Sequence, residues 1–170
     1  ITTYTYATTG ILGRIKDAST SSTTTGTDIW GATYTTTSNT TYVIEHNRPL
    51  ATVVTAHTTG SNLFGESYIT DSTTTYTYET TGILGRIKAA STSSTTTGTD
   101  IWGATYETKS TTTYVIEHNR PLASVVTAHT TGTNLFGESY ATDSITTYKY
   151  ETTGILGRIK EAVTTSTTTG

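Results

Sequence analysis

Residues Thr8–Lys16 read Thr-Thr-Gly-Ile-Leu-Gly-Arg-Ile-Lys, and the same nine residues return at Thr80–Lys88 and at Thr152–Lys160. The period is 72 residues, and residues 1–72 differ from residues 73–144 at only nine positions. A fixed period of this kind is the signature of a repeat architecture, in which each unit packs on its neighbours. The sequence therefore predicts a tandem array instead of a domain built around one central core.

The repeat boundaries follow from this period. Residues 1–72 form the first copy, residues 73–144 form the second, and residues 145–170 form a partial third copy. Each complete copy contains two weaker halves, because Gly26–Tyr34 aligns with Gly60–Tyr68. The halves are residues 1–38 and 39–72 in the first copy, and residues 73–110 and 111–144 in the second. The third copy stops at the equivalent of Gly26, so we expect the chain to be a window of a longer array.

The composition points to strands and away from several functional classes. Threonine supplies 51 of the 170 residues, and apolar residues make up 32%, against roughly 45–50% in typical domains. β-Branched and aromatic residues fit a pleated, half-buried surface. The net charge of −3 gives no basic footprint for nucleic acid. No stretch approaches the ~20 apolar residues that a transmembrane helix needs, so we expect no membrane span.

Local patterns place the strands and the turns. Tyr4 and Tyr6 lie two residues apart, as do Trp30 and Ala32, which is the spacing of one strand face. Gly10, Gly26 and Gly60 follow Thr-Thr and precede an apolar run, which predicts hairpin turns there. Asn47-Arg48-Pro49 predicts another turn. We find no sustained 3.6-residue period. The predicted fold class is all-β: a tandem-repeat antiparallel hairpin or meander stack, elongated or solenoid-like, with essentially no helix.

Differences between the copies distinguish two faces of one predicted strand. The exchanged positions alternate with positions that stay constant, as a strand requires and a helix does not. We predict that the exchanged face is solvated and the constant face, with Tyr34, Thr36 and Ser38, is packed. The exchanges replace Thr35, Thr37 and Asn39 with Glu107, Lys109 and Thr111.

Aromatic side chains are the candidate packing residues of the repeats. Burying one such ring stabilises a fold by roughly 2–3 kcal/mol, and this chain has few other large apolar residues. An exposed aromatic row that binds sugars is the alternative interpretation. The predicted repeat-packing anchors are Tyr6, Trp30, Tyr34, Phe64, Tyr68, Tyr78, Trp102, Tyr106, Phe136 and Tyr140.

Residues with catalytic or metal-binding chemistry are scattered. His46 and His57, repeated as His118 and His129, lack the three or four converging ligands of a zinc site. No nucleophile elbow and no phosphate-binding glycine loop appears. We therefore predict that the protein is not an enzyme and uses no catalytic residue, cofactor or metal.

Threonine-rich tracts are candidate glycosylation sites. Such tracts in secreted proteins are often O-glycosylated, and a ladder of hydroxyls bonded across strands is the alternative interpretation. Asn39-Thr40-Thr41 is an acceptor pattern for N-glycosylation at Asn39. The candidate O-glycosylation sites are Thr23, Thr24, Thr25, Thr95, Thr96 and Thr97.

One segment resembles a known family. Thr75–Ile87 reads Thr-Tyr-Thr-Tyr-Glu-Thr-Thr-Gly-Ile-Leu-Gly-Arg-Ile and resembles the YD repeat of Rhs-type proteins, which shows Tyr-x-Tyr-Asp, a turn and Gly-Arg-Leu. The pattern recurs at Tyr4–Ile15 and Tyr148–Ile159, with Ala7, Glu79 or Glu151 in place of the aspartate. The resemblance implies a secreted scaffold of β-hairpins that wind into an extracellular or toxin-encapsulating shell.

These observations predict an extracellular or cell-surface structural protein. Head-to-tail stacking of its repeats would build a filament, sheath or surface appendage. Its partners would be other copies or neighbouring repeats, together with glycans. An adhesin or carbohydrate-binding module, with a propeller-like arrangement, is the alternative. An ice-binding solenoid would need a regular threonine ladder, which the uneven spacing of the turns makes doubtful.

Overall fold

The computed structural model describes residues 1–151 and 157–170. These residues form one open sheet of ten antiparallel strands, whose order in the sheet is their order in the chain. The described residues contain no helix. The strands are β1 (Thr2–Tyr6), β2 (Ile15–Thr27), β3 (Thr33–Glu45), β4 (Arg48–Ser61), β5 (Ser67–Tyr78), β6 (Ile87–Thr99), β7 (Thr105–Glu117), β8 (Arg120–Thr133), β9 (Ser139–Tyr150) and β10 (Ile159–Thr169).

This architecture confirms the predicted all-β meander. Each of the strands β2 to β9 pairs with the strand before it and the strand after it, and one 72-residue period corresponds to four strands. The first and last strands do not meet, so the closed, propeller-like arrangement is wrong. The third copy of the repeated nine residues falls partly on residues 152–156, which lie outside the described residues.

The sheet is a single layer with almost no interior. Only Ala18, Leu50 and Ala90 are buried apolar residues in the described part of the chain. A sheet usually buries one face against another layer. Here the packing that exists lies between neighbouring strands of the same layer.

The hairpin connections alternate between the two ends of the strands. At one end, β2–β3, β4–β5, β6–β7 and β8–β9 are joined by five-residue loops. At the other end, the β3–β4 and β7–β8 turns contain only two residues each. His46 and Asn47 have φ values of 48° and 63°, as a type I′ hairpin turn requires. The predicted turn at Asn47-Arg48-Pro49 is therefore wrong by one residue, since Arg48 and Pro49 already belong to β4.

Two of the predicted glycine turns are also wrong. Gly10 lies in a connection with a φ of 77°, but Gly26 and Gly60 lie inside β2 and β4. Each pairs with a tyrosine of a neighbouring strand, Tyr34 or Tyr68. A Thr-Thr-Gly sequence does not show this pairing, because the partner is several residues away in the chain.

Candidate interaction surfaces

A row of alternating tyrosine and glycine crosses the sheet near the five-residue loops. Each tyrosine ring lies over the glycine of the preceding strand, in space that a β-carbon on that glycine would occupy. Covering a strand glycine with an aromatic ring is a known device for fixing register. Four predicted anchors therefore pack across strands. The row consists of Gly26, Tyr34, Gly60, Tyr68, Gly98, Tyr106, Gly132 and Tyr140.

An all-threonine row lies two residues further along each strand, on the same face. Its hydroxyl oxygens pair at 2.9 Å between Thr36 and Thr58 and at 2.8 Å between Thr108 and Thr130. The uneven spacing of the turns led us to expect an irregular threonine ladder, and that expectation is wrong. The register between neighbouring strands aligns the threonines, whatever the spacing of the turns. It consists of Thr24, Thr36, Thr58, Thr70, Thr96, Thr108, Thr130, Thr142 and Thr168.

Two further rows on this face are also small and neutral. One contains only serine and alanine: Ser22, Ser38, Ala56, Ser72, Ser94, Ser110, Ala128, Ser144 and Ser166. The next contains only threonine and valine: Thr20, Thr40, Val54, Thr74, Thr92, Thr112, Val126, Thr146 and Thr164. We call these four rows the uncharged face, since no Asp, Glu, Lys or Arg occurs in them.

The opposite face carries the charged side chains of the strands. His57 Nδ1 lies 2.7 Å from Asp71 Oδ1, and the repeat places His129 and Asp143 at the same distance. Lys109 Nζ lies 2.6 Å from Glu107 Oε1. Both side chains lie on the face of the strand that was predicted to be solvated. A hydrogen bond from Lys149 holds the pKa of Glu161 below its usual value. Exposed pairs of this kind contribute little to stability.

Neither histidine–aspartate pair is part of a serine-histidine-aspartate triad within the described residues. A serine-histidine-aspartate triad needs a hydroxyl hydrogen-bonded to the second imidazole nitrogen. Among the described residues, no hydroxyl bonds either His57 or His129. The same residues contain no group of three or more His, Cys, Asp or Glu side chains that could hold a metal ion.

Aspartate and asparagine shape the five-residue loops. Asp28 Oδ1 accepts hydrogen bonds from the backbone N–H groups of Trp30 and Ala32, at 2.8 and 2.9 Å. Asn62 Oδ1 does the same in the next loop along. This turn chemistry sends the two apolar residues of each loop outward. The resulting apolar end of the sheet consists of Ile29, Trp30, Leu63, Phe64, Ile101, Trp102, Leu135 and Phe136.

Four predicted anchors lie at this apolar end and are not packed within the chain. Trp30 and Trp102 are 74% and 69% exposed, and Phe64 and Phe136 are 77% and 87% exposed. Their prediction as buried anchors is wrong, because a single layer has no interior to receive them. Tyr6 is also exposed, on the edge strand β1.

The two-residue turns and the bulges hold the other end of the sheet together. Asn47 Oδ1 accepts a hydrogen bond of 2.6 Å from the backbone N–H of Ile15, two strands away. Tyr78, the remaining predicted anchor, donates its hydroxyl to the carbonyl oxygen of Ala51 at 2.6 Å. Burial raises the pKa of Tyr78, and Tyr76 adds to that increase. The sequence places Asn47 in a turn but does not reveal its bond to Ile15, because the two residues are 32 positions apart in the chain.

The candidate glycosylation sites lie in strands and not in loops. Thr24 and Thr96 belong to the threonine row of the uncharged face. Thr23, Thr25, Thr95 and Thr97 lie on the charged face, and Asn39 is exposed there at the middle of β3.

A groove of about 810 Å³ crosses β5 to β10 beside the tyrosine and glycine row. Among the described residues, Glu107 is the only charged residue that lines it. The described residues contain no helix long and apolar enough to span a bilayer. Comparisons with protein-family models, curated proteins and solved structures gave no match to this chain.

Proposed function

We propose that this protein is a structural repeat protein that builds an extracellular filament, sheath or surface appendage. The observation that carries the proposal is the open sheet with unpaired outer edges. Among the residues that the structure describes, β1 pairs only with β2 and β10 pairs only with β9. Unpaired strand edges are templates for pairing with another chain.

The constancy of the rows supports growth at these edges. The tyrosine–glycine row continues from β2 to β9, and the threonine row continues from β2 to β10, without a break. A further four-strand unit would continue the same rows with the same pairing. Interfaces that repeat without closing generate open filaments.

The chemistry of the surface supports an extracellular location and a non-catalytic role. Threonine hydroxyls on the charged face, such as those of Thr23 and Thr25, are exposed and accessible to glycosylation enzymes. The two histidine–aspartate pairs lack a nucleophile, as described above. Glycans and other copies of the chain are the partners that fit this surface.

The resemblance to YD repeats is compatible with this proposal. Tyr76 and Tyr78 lie in β5, and the segment after Arg86 forms β6, so the resembling stretch is one hairpin. The backbone N–H of Glu79 donates to the carbonyl oxygen of Arg86 at 2.8 Å across the connection. The stretch that resembles the YD repeat therefore corresponds to one β-hairpin, which is the scaffold element that the resemblance implies.

Electron microscopy with intact-mass measurement tests the structural role. We expect filaments whose axial repeat is about 19 Å, since one 72-residue unit adds four strands spaced ~4.8 Å apart. A measured mass above that of the polypeptide would indicate glycosylation. The double variant Thr165→Lys/Thr167→Lys places charges on the edge strand β10 and should shorten or abolish the filaments. Discrete particles from the unmodified chain would refute edge growth.

An adhesin or carbohydrate-binding module is the second candidate. The exposed Trp30 and Trp102 at the apolar end favour it, because aromatic rings are suited to stacking against apolar ligand faces. A glycan array tests this function directly. Binding that disappears in Trp30→Ala/Trp102→Ala but persists in the β10 double variant would favour the module over the filament.

A further inference from the structure

The chain exposes far more surface than a compact protein of its mass. Its accessible surface is 11099 Å² for 18.1 kDa. Folded monomers of this mass expose roughly 8,100 Å². The excess is about 3,000 Å² per chain, or about 6,000 Å² for two chains, which exceeds the roughly 2,000–5,000 Å² that obligate dimers bury in total, counted over both partners. The open sheet therefore has room for a second layer.

The uncharged face is the face that can be covered at low cost. Burying an unpaired charge is expensive, and the opposite face carries His57, Asp71, Glu107 and Lys109. The uncharged face has no such group. A partner can therefore exclude water from this face without burying an unpaired charge.

Most hydroxyl groups of the uncharged face already have partners within the sheet. Thr70 and Thr96 pair at 2.9 Å, Thr74 and Thr92 at 2.8 Å, and Ser94 and Ser110 at 2.8 Å. Buried polar groups are tolerated when they are hydrogen-bonded. Because these hydroxyls bond one another along the rows, they do not depend on water. The serine and alanine row adds short side chains, which let a second sheet approach closely.

We propose that a second copy of this chain stacks on the uncharged face, so that the two sheets form a two-layer sandwich. The contact is self-complementary, because the same rows face each other in both copies. Aligned sheets pack ~10 Å apart. This stacking is perpendicular to growth at the edges and does not require it.

Matched substitutions at adjacent positions of β3 test the proposal. Thr36 belongs to the uncharged face, and Thr37 belongs to the charged face. Lysine is the native residue at 109, the counterpart of Thr37 in the second repeat. Thr37→Lys is therefore a control with the same added charge. All variants are made on the background Thr165→Lys/Thr167→Lys, so that edge growth does not obscure the mass.

Sedimentation velocity reads the result. The background chain should sediment at twice 18.1 kDa, and Thr37→Lys should do the same. Thr36→Lys should raise the dimer dissociation constant at least roughly tenfold, which converts most of the sample to monomer near the original dissociation constant. A second pair of variants, Thr36→Glu and its control Thr35→Glu, repeats the test with a negative charge. Glutamate is the native residue at 107, the counterpart of Thr35 in the second repeat.

Small-angle scattering of the unmodified chain decides the question without a variant. Stacked sheets give a particle or filament about 20 Å thick, and a single layer gives about 10 Å. A single-layer thickness, or equal dissociation constants for Thr36→Lys and Thr37→Lys, would overturn the stacking. Filaments one layer thick would overturn it and leave edge growth intact, whereas two-layer particles that never elongate would overturn edge growth alone.

Discussion

The ring of Tyr106 lies over Gly98 of the neighbouring strand, in the space where a side chain on Gly98 would stand. The same relationship joins Tyr34 to Gly26 and Tyr68 to Gly60. If one strand slipped by two residues along its neighbour, every side chain would stay on the same face of the sheet. The rows of threonine and serine side chains would then look almost unchanged. The large ring and the absent side chain differ from everything around them, so this pair fixes the register.

Gly98→Ala should destabilise the sheet by about 1–3 kcal/mol, since the added methyl group overlaps the ring and forces it to move. Chemical denaturation measures the change in the free energy of unfolding. Ser93→Ala, on the exposed face of the same strand, is the control and should change stability by less than about 0.5 kcal/mol.

Combining Gly98→Ala with Tyr106→Leu should recover part of the loss, because the smaller side chain leaves room for the methyl group. The double-mutant cycle would then show coupling. Additive losses would show that the ring does not occupy that space.

Thr108→Val should lower the free energy of unfolding by about 0.5–1 kcal/mol, because it removes the hydroxyl that pairs with Thr130 at 2.8 Å. Thr108→Val/Thr130→Val should lower it by less than the sum of the two single changes, since neither partner is then left without the other. A sum that is strictly additive would contradict the hydrogen bond.

Asp100→Ala should destabilise the chain by about 1 kcal/mol, because the Oδ1 atom accepts from the backbone N–H groups of Trp102 and Ala104. In a chain of this length that corresponds to a melting temperature about 2–4 °C lower. Asp100→Asn should be close to neutral, since Asn134 does the same in the next loop. Equal melting temperatures for the alanine and asparagine variants would contradict this role.

Stability should fall at alkaline pH because of Tyr78 and Tyr150. Burial raises the pKa of both hydroxyls in the folded chain, with smaller contributions from Tyr76 and Tyr148 respectively. A raised folded pKa means stability that is present below the unfolded pKa, about 10, and lost as the pH rises through the folded value. Denaturation curves between about pH 9 and 11 should show this fall.

Tyr78→Phe/Tyr150→Phe should flatten that pH dependence while lowering stability at neutral pH, because the bonds to Ala51 and Ala123 are lost. Tyr6→Phe is the control, since its ring is exposed at the sheet edge. An unchanged alkaline slope in the double variant would assign the effect to other groups.

The sequence predicted what depends on local pattern and missed what depends on distant partners. The two-residue alternation of Tyr34, Thr36 and Ser38 against Thr35 and Thr37 correctly separated the two faces of β3. The predicted packing of the first face is wrong within this chain, because no second layer covers it and Tyr34 is 43% exposed. Gly60 could not be recognised as a strand residue, because its partner Tyr68 comes eight residues later and the glycine itself reads as a turn.

The tryptophans were misplaced for a different reason. A large apolar residue is expected to be buried when a fold has an interior, and nothing in the local sequence around Trp30 shows that the sheet is one layer thick. The Asp28 turn that exposes Trp30 has a recognisable pattern, an aspartate two residues before the ring and a glycine after it. That pattern was the available signal for a loop.

The unbroken strand order from β1 to β10 has a mechanical consequence. A load applied across the sheet acts along the interstrand hydrogen bonds and opens one strand pair at a time, instead of shearing many pairs together. Each strand pair then yields at a force similar to that of its counterpart one repeat away, because the two ladders have the same pairing. A material made from such a sheet would extend under tension in small steps whose pattern recurs with every four strands, and it would recover by pairing again when the tension is released.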